Sequence, residues 1–304
     1  MSIRLGSRGM YAAGLGFMAL AWVKNRLAGY STPNTVNRGD VAGAVNYVRD
    51  TVRSWERFLS GKVDVRGRDV LELCPGSTLG TGALLLAKGA RSYHAVDAFR
   101  LADADDTDFL LRVLSGLDPN EYLPQDVERA QTIIKHRNAE LFDYRVERSF
   151  DIDRLSGGKS FDLQLSCAAF EHYDDIDRTI EQLSHVARPG CVSAHIVDFQ
   201  THSRWIRQND PNNIYRYDER LYRLFGFPGR PNRQRPDDYL RAFERNGWDA
   251  VEVVAAQTVA AQQLPLSTTG LLARFNRPEA DMTMLEGVVI ARRPAPPIDN
   301  SRPH

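Results

Sequence analysis

The stretch from Asp69 to Phe99, DVLELCPGSTLGTGALLLAKGARSYHAVDAF, constrains this chain more than any other. A short apolar run (Val70, Leu71, Leu73) breaks at Pro75-Gly76 and a turn of small residues follows. An apolar helix is predicted from near Leu79, and a second strand ends on Asp97. This is a β-turn-α-β unit with a nucleotide site at its top. A glycine turn lets a ligand approach the backbone, and an acidic residue about 20 positions on, ending the neighbouring strand, accepts hydrogen bonds from ribose hydroxyls. Asp97 stands in that place, followed by Ala98.

Two kinds of cofactor use this geometry. A dinucleotide fingerprint needs G-x-G-x-x-G with pyrophosphate over a helix N-terminus; Gly76, Gly80 and Gly82 fit that spacing poorly. The other kind has no phosphate and presents a cationic amino acid end, which an acidic residue just before the turn suits; Glu72 stands there. Glu72 and the turn Cys74, Pro75, Gly76, Ser77 and Thr78 resemble motif I of the class I S-adenosylmethionine-dependent methyltransferases in its E-L-G-P-G form. Cys74 replaces the first glycine and Thr78 a later small residue. The resemblance implies S-adenosyl-L-methionine as cofactor, with Glu72 and the turn at its amino acid end and Asp97 with Ala98 at its ribose. It also implies an α/β Rossmann-like fold, a seven-stranded mostly parallel sheet with helices on both faces. An N-terminal helical segment and an insertion after the fifth strand are added to it.

The whole chain sets wider bounds. Its 304 residues, 42% hydrophobic, are enough for one large domain or two small ones. With 39 basic and 39 acidic residues it has no net field to recruit nucleic acid. Cys74, Cys167 and Cys191 form no C-x-x-C pair, so they read as reduced thiols of a cytoplasmic protein without a zinc site. Met10 to Val23 is apolar between Arg4, Arg8 and Lys24, Arg26. It is short of the roughly 20 apolar residues that span a bilayer and carries no A-x-A cleavage pattern. Residues 10–23 therefore read either as a helix packed on the fold or on a partner chain, or as a peripheral membrane helix with Phe17 and Trp22 at the interface. A second copy of the chain is an open partner.

In chain order, Tyr30 to Arg38 is a polar link, and Asp40 caps a predicted helix to about Leu59 with Val41, Val45, Val48, Val52, Trp55 and Phe58 on one face. The resemblance implies that this helix and the Tyr30 region help close the cofactor pocket. The third strand is expected at Phe150 to Ile152, with Asp151 or Asp153 after it to read the adenine amino group, as the resemblance implies. Phe161 to Ser166 is the predicted fourth strand, and Ser166 at its end joins the cofactor set. AAFEHY follows, then a helix through Ile176, Ile180, Leu183 and Val186 that Pro189-Gly190 is expected to stop. The resemblance implies that Glu171 and His172 stand where the transferred methyl group would lie; Glu171 can instead stabilise the following helix N-terminus. Cys191 to Phe199 is the predicted fifth strand, with His195 a core histidine and Asp198 and His202 at its opening. Val251 to Val254 and Glu286 to Ala291 are expected to complete the sheet as an antiparallel pair.

Ser203 to Arg235 combines aromatics with arginines, a composition suited to stacking on sugar rings and gripping hydroxyls or carboxylates. It equally suits an insertion with its own small core. Together with S-x-x-x-x-E-H, S-A-H-I-V-D-F-Q-T-H and P-N-R-Q-R-P-D-D-Y-L-R-A-F-E-R-N-G-W, motif I resembles bacterial methyltransferases associated with surface polysaccharide synthesis, over Tyr30 to Arg292. That context implies a sugar or other small hydroxylated acceptor. The expected organisation is a helical segment to residue 60, a methyltransferase domain over 61–293 with a substrate-side insertion at 200–235, and a disordered tail over 294–304. Methyl transfer to a hydroxyl needs a base, for which His172 and His202 are the candidates, with Asp198 orienting a histidine. The adopted reading includes no metal; Asp198 joining Glu171 at a divalent ion is its alternative. An N- or C-methyltransferase, or a non-catalytic module of the same fold, would share every cofactor residue.

Overall fold

Short runs of β-branched and aliphatic residues, most of them bounded by glycine turns, become one seven-stranded sheet. The computed structural model describes residues 6–28, 40–102 and 106–295; the Tyr30 to Arg38 link and the tail from residue 296 lie outside these. The strands are β1 (Asp69–Leu73), β2 (Ser92–Asp97), β3 (Phe142–Val146), β4 (Phe161–Cys167), β5 (Ala187–Asp198), β6 (Asp249–Thr258) and β7 (Met284–Arg292). Their order is β3-β2-β1-β4-β5-β7-β6. The first five are parallel, and β7 runs antiparallel to both β5 and β6, as the sequence led one to expect of the last two strands.

Of the helices, α1 (Ser7–Ala28) packs on the segment after β5. Helices α2 (Val41–Leu59), α3 (Gly80–Ala87), α4 (Thr107–Val113) and α5 (Pro124–Lys135) cover one face of the sheet. The other face carries α6 (Ile152–Leu155) and α7 (Ile176–His185); α8 (Arg204–Asn209) and α9 (Glu219–Leu224) follow β5, and α10 (Pro236–Arg245) returns to the second face. The two-residue period of β1 divides the core: Val70 joins the α2 side, Leu71 and Leu73 the α7 side. Asp40 caps α2 by accepting the Gly43 amide, a contact worth about 1 kcal/mol. All eight residues of α3 are buried, and a Cβ at Gly82 would come within 2.3 Å of the Tyr93 ring. The second and third glycines of the motif thus serve helix packing, and the turn rests on Gly76 at φ 79°.

Two expectations are corrected. The third strand is Phe142–Val146, and Phe150 to Ile152 leads instead into α6, capped by Asp151. An edge strand that alternates Phe142, Tyr144 and Val146 with Asp143 and Arg145 carries charge on one face, which hides it in a search for apolar runs. Pro189-Gly190 does not stop α7, which ends at His185; both residues lie in the N-terminal part of β5, where its pairing with β4 shifts register.

The segment after β5 forms a third small core with α1. Ile214, Tyr215, Tyr217, Tyr222, Phe275 and Met282 pack there around Met18. A Cβ at Gly14 would fall 1.8 Å from Asn213 Oδ1, so α1 seats against the 213–216 turn at that glycine. Phe17 stacks on Trp205 and Trp22 meets Phe225 edge-on, while Leu20 and Leu27 remain exposed. No described helix is long and apolar enough to cross a membrane. The arginines read as an acceptor grip are in part structural: Arg216, Arg233 and Arg235 are buried. Arg216 Nε binds Asp210 at 2.7 Å, Arg233 donates to the Tyr217 carbonyl at 2.6 Å, and Arg235 donates to those of Ala280 and Met284.

Candidate active site

The strand order reverses between β1 and β4, and a cleft opens outside the carboxyl ends of the strands at that switch point, where ligands bind in open α/β sheets. Its volume is about 420 Å³, inside the ~300–1,000 Å³ typical of small-molecule sites. Cys74, Pro75 and Gly76 line it from the first turn, Asp97, Ala98 and Phe99 from the end of β2, and Cys167 to Ala169, His172 and Tyr173 from the end of β4. Tyr47 of α2, Ser149 with Phe150, and Arg178, Thr179 and Gln182 of α7 contribute further wall.

Three of the lining residues hold a left-handed backbone without being glycine: Cys74 at φ 50°, Phe150 at 48° and Ala168 at 51°. Each such residue costs about 1–3 kcal/mol, and strain of this kind collects at ligand sites. Cys74 adopts the conformation a glycine takes without cost, and its Sγ lies 3.4 Å from the Tyr173 hydroxyl. Burial pushes the Cys74 thiol well up, so it stays a neutral wall.

Asp97 is 2% exposed. Its Oδ1 accepts the Phe99 amide at 3.0 Å, while the buried Oδ2 has no hydrogen-bond partner. The nearby Tyr144 hydroxyl donates to the Phe99 carbonyl at 3.1 Å instead. Burial pushes the Asp97 carboxyl up to about 6, against the lowering pull of the Phe99 and Ala98 amides. An orphan acceptor at a cleft wall is what a ligand hydroxyl would satisfy.

Other sequence candidates sit behind this wall. Glu72 Oε2 accepts from Thr81 at 2.6 Å and Tyr93 at 2.7 Å; burial pushes its carboxyl up to about 7 despite both donors. Thr78 accepts the Gly80 amide and so tightens the turn that carries Ser77. The Ser166 hydroxyl bonds His195 Nδ1 at 2.8 Å, and its carbonyl accepts the Trp55 indole. His195 Nε2 meets Ser193 at 2.7 Å, so this core histidine is satisfied at both nitrogens, and burial holds it down near about 3. Asp151 caps α6 and accepts the Gln182 amide. None of Glu72, Thr78, Asp151 and Ser166 lines the cleft.

The second group stands at the ends of β4 and β5. Glu171 and His172 occupy a 3-10 turn, Phe170–His172, whose entry is fixed by the left-handed Ala168. The Asn232 amide nitrogen holds the Phe170 carbonyl at 2.8 Å, and its backbone N–H donates to the Glu171 carbonyl at 2.7 Å. The imidazoles of His172 and His202 meet edge to face with centroids 4.9 Å apart. Burial lowers both histidines, and for His202 the neighbouring imidazole adds to the effect, so each is a neutral proton acceptor near pH 7. Asp198 accepts Arg207 at 2.6 Å and the Gln200 amide at 3.0 Å, and lies 3.8 Å from His202 Nε2, beyond a hydrogen bond. Sequence reasoning missed Tyr47, Phe150 and Tyr173 among the lining residues; only the position of Tyr173 beside the E-H pair hinted at one of them.

No protein-family model and no curated protein matches this chain. Among solved structures it is similar to the CurJ carbon methyltransferase at 13% identity and TM-score 0.47, covering 95% of this chain and 70% of that one. It is also similar to an S-adenosylmethionine-dependent methyltransferase from Mesorhizobium loti, at 16% identity and TM-score 0.44, covering 81% and 100%. A third is the magnesium protoporphyrin IX methyltransferase of Synechocystis with bound S-adenosylhomocysteine, at 14% and 0.42, covering 91% and 94%. At these TM-scores the functional reading rests on the cleft itself.

Proposed function

We propose that the chain is an S-adenosylmethionine-dependent methyltransferase that methylates a hydroxyl of a small acceptor. A sugar is the acceptor that the sequence resemblance implies, in the context of surface polysaccharide synthesis. The observation that carries the cofactor assignment is the buried, unpartnered Oδ2 of Asp97 beside the Cys74-Pro75-Gly76 turn. That oxygen accepts a ribose hydroxyl, and the turn offers backbone to the amino acid end, braced from behind by Glu72 and Thr78. When bound, the cofactor supplies an electrophilic methyl group on a sulfonium.

The protein's remaining work is alignment, exclusion of water and removal of the acceptor's proton. His172, on the cleft wall and neutral at pH 7, is placed to take that proton, with His202 beside it. Asp198, fixed by Arg207, orients His202 electrostatically at 3.8 Å. The test is single-turnover transfer of labelled methyl to a panel of hydroxylated acceptors. Removing both histidines should slow transfer by about 10²–10⁴-fold with cofactor binding intact; an unchanged rate would remove them from the chemistry.

A further inference from the structure

Glu171 has no part in that reaction, yet it is buried, 3% exposed, without a partner for either carboxylate oxygen. Among the described residues no lysine or arginine pairs with it; the nearby Arg207 engages Asp198. A buried carboxylate is tolerated when it is neutralised or faces a cation. Two imidazoles stand beside it instead. His172 has a buried, unpartnered Nδ1, and His202 arrives from the end of β5. One ligand atom from each of Glu171, His172 and His202 lies within 4.8 Å of the others.

We propose that Glu171, His172 and His202 form a binding site for one divalent transition-metal ion of the zinc class at the ends of β4 and β5, beside the cleft wall that His172 lines. Two imidazoles and one carboxylate are the donor set of catalytic zinc sites, which keep a further position open for water or substrate. With bonds of about 2.1 Å in a tetrahedral site the donors stand about 3.4 Å apart, so the side chains draw in by roughly 1 Å on binding. Imidazole donors favour zinc over magnesium. Asp198 stays outside the ligand set, held by Arg207 with its carboxylate 3.8 Å from His202 Nε2. The ion's task, though not its binding, rests on the methyl-transfer reading. A hydroxyl in the open position would lose its proton more readily, and the histidines would then act as ligands and not as bases.

The experiment is calorimetric titration of Zn²⁺ into tag-free protein previously dialysed against chelator, with Mg²⁺ as control, for the wild type, Glu171→Gln and His202→Ala. The expected result is one Zn²⁺ per wild-type chain, binding at least tenfold weaker in both variants, and no response to Mg²⁺. Zn²⁺ should raise the melting temperature of the wild type alone. Metal-free Glu171→Gln should melt above the metal-free wild type, because it loses an unpartnered buried carboxylate, and this shows that the variant folds. No stoichiometric binding, or equal binding in the variants, overturns the site. S-adenosylmethionine binding is measured on the same samples: its loss with Zn²⁺ binding intact supports the ion site and sinks the methyl-transfer reading, and the reverse overturns the ion site alone.

Discussion

Two regions of this molecule bury charge, and they treat it in opposite ways. In the layer after β5, Asp210 is fully buried yet receives two nitrogens of Arg216 at 2.7 and 3.0 Å and the Asn213 amide at 3.0 Å. At the strand ends, Asp97 keeps one oxygen without a partner and Glu171 keeps both. The Asp210–Arg216 pair is satisfied within the protein, whereas Asp97 and Glu171 leave carboxylate oxygens for a ligand. Burial of charge therefore does not mark function here; what sets Asp97 apart is an unpartnered carboxylate oxygen on a residue that lines the cleft.

The comparison can be broken most forcefully in the layer. Asp210→Ala leaves Arg216, whose side chain is 2% exposed, without its counter-ion, and should cost about 3–5 kcal/mol in denaturant unfolding while cofactor affinity in the folded fraction holds. A loss of less than about 1 kcal/mol would reduce this pair to the worth of a surface contact.

Glu72 lies between the two cases, since its hydrogen bonds do not offset its burial. Its folded value, about 7, lies above the unfolded 4.5, so the native state holds the extra proton. The stability this contributes is fully present below pH 4.5 and is lost as pH rises through 7, by roughly 3 kcal/mol. Glu72→Gln should flatten that part of the stability profile, measured by unfolding at a series of pH values. Gly14→Ala sharpens the contrast further: crowding Asn213, set against alanine's helix preference, should cost about 1–2 kcal/mol and leave cofactor binding untouched.

How far the sequence carried these conclusions follows from the same physics. The Cys74-Pro75-Gly76 turn and Asp97 were legible as cleft wall because one β-turn-α-β unit fixes their spacing within a single local stretch, while Glu72, read from the same stretch, lies behind the wall on Thr81 and Tyr93. His172 was reachable because it follows a strand whose carboxyl end opens into the cleft, and His202, after the next strand, meets its ring without lining the cleft. Tyr47 and Phe150 were not, since they arrive from distant elements and lie off any apolar stripe. The arginines after β5 misled because a guanidinium stacked on a buried ring has the same composition as one awaiting a ligand. Arg233 lies 3.9 Å over Tyr222 and Arg235 4.7 Å over Phe199. Only the packing of that segment against α1 tells the two apart.

The most direct measurement is calorimetric titration with S-adenosylhomocysteine, with NADH as control, for wild type and Asp97→Ala. The account predicts that the wild type binds S-adenosylhomocysteine and not NADH, and that the variant, still folded, binds at least about tenfold more weakly, as removal of a charged acceptor from a ligand hydroxyl requires. Equal binding by the two proteins, or binding of NADH in place of the sulfur ligand, would contradict it.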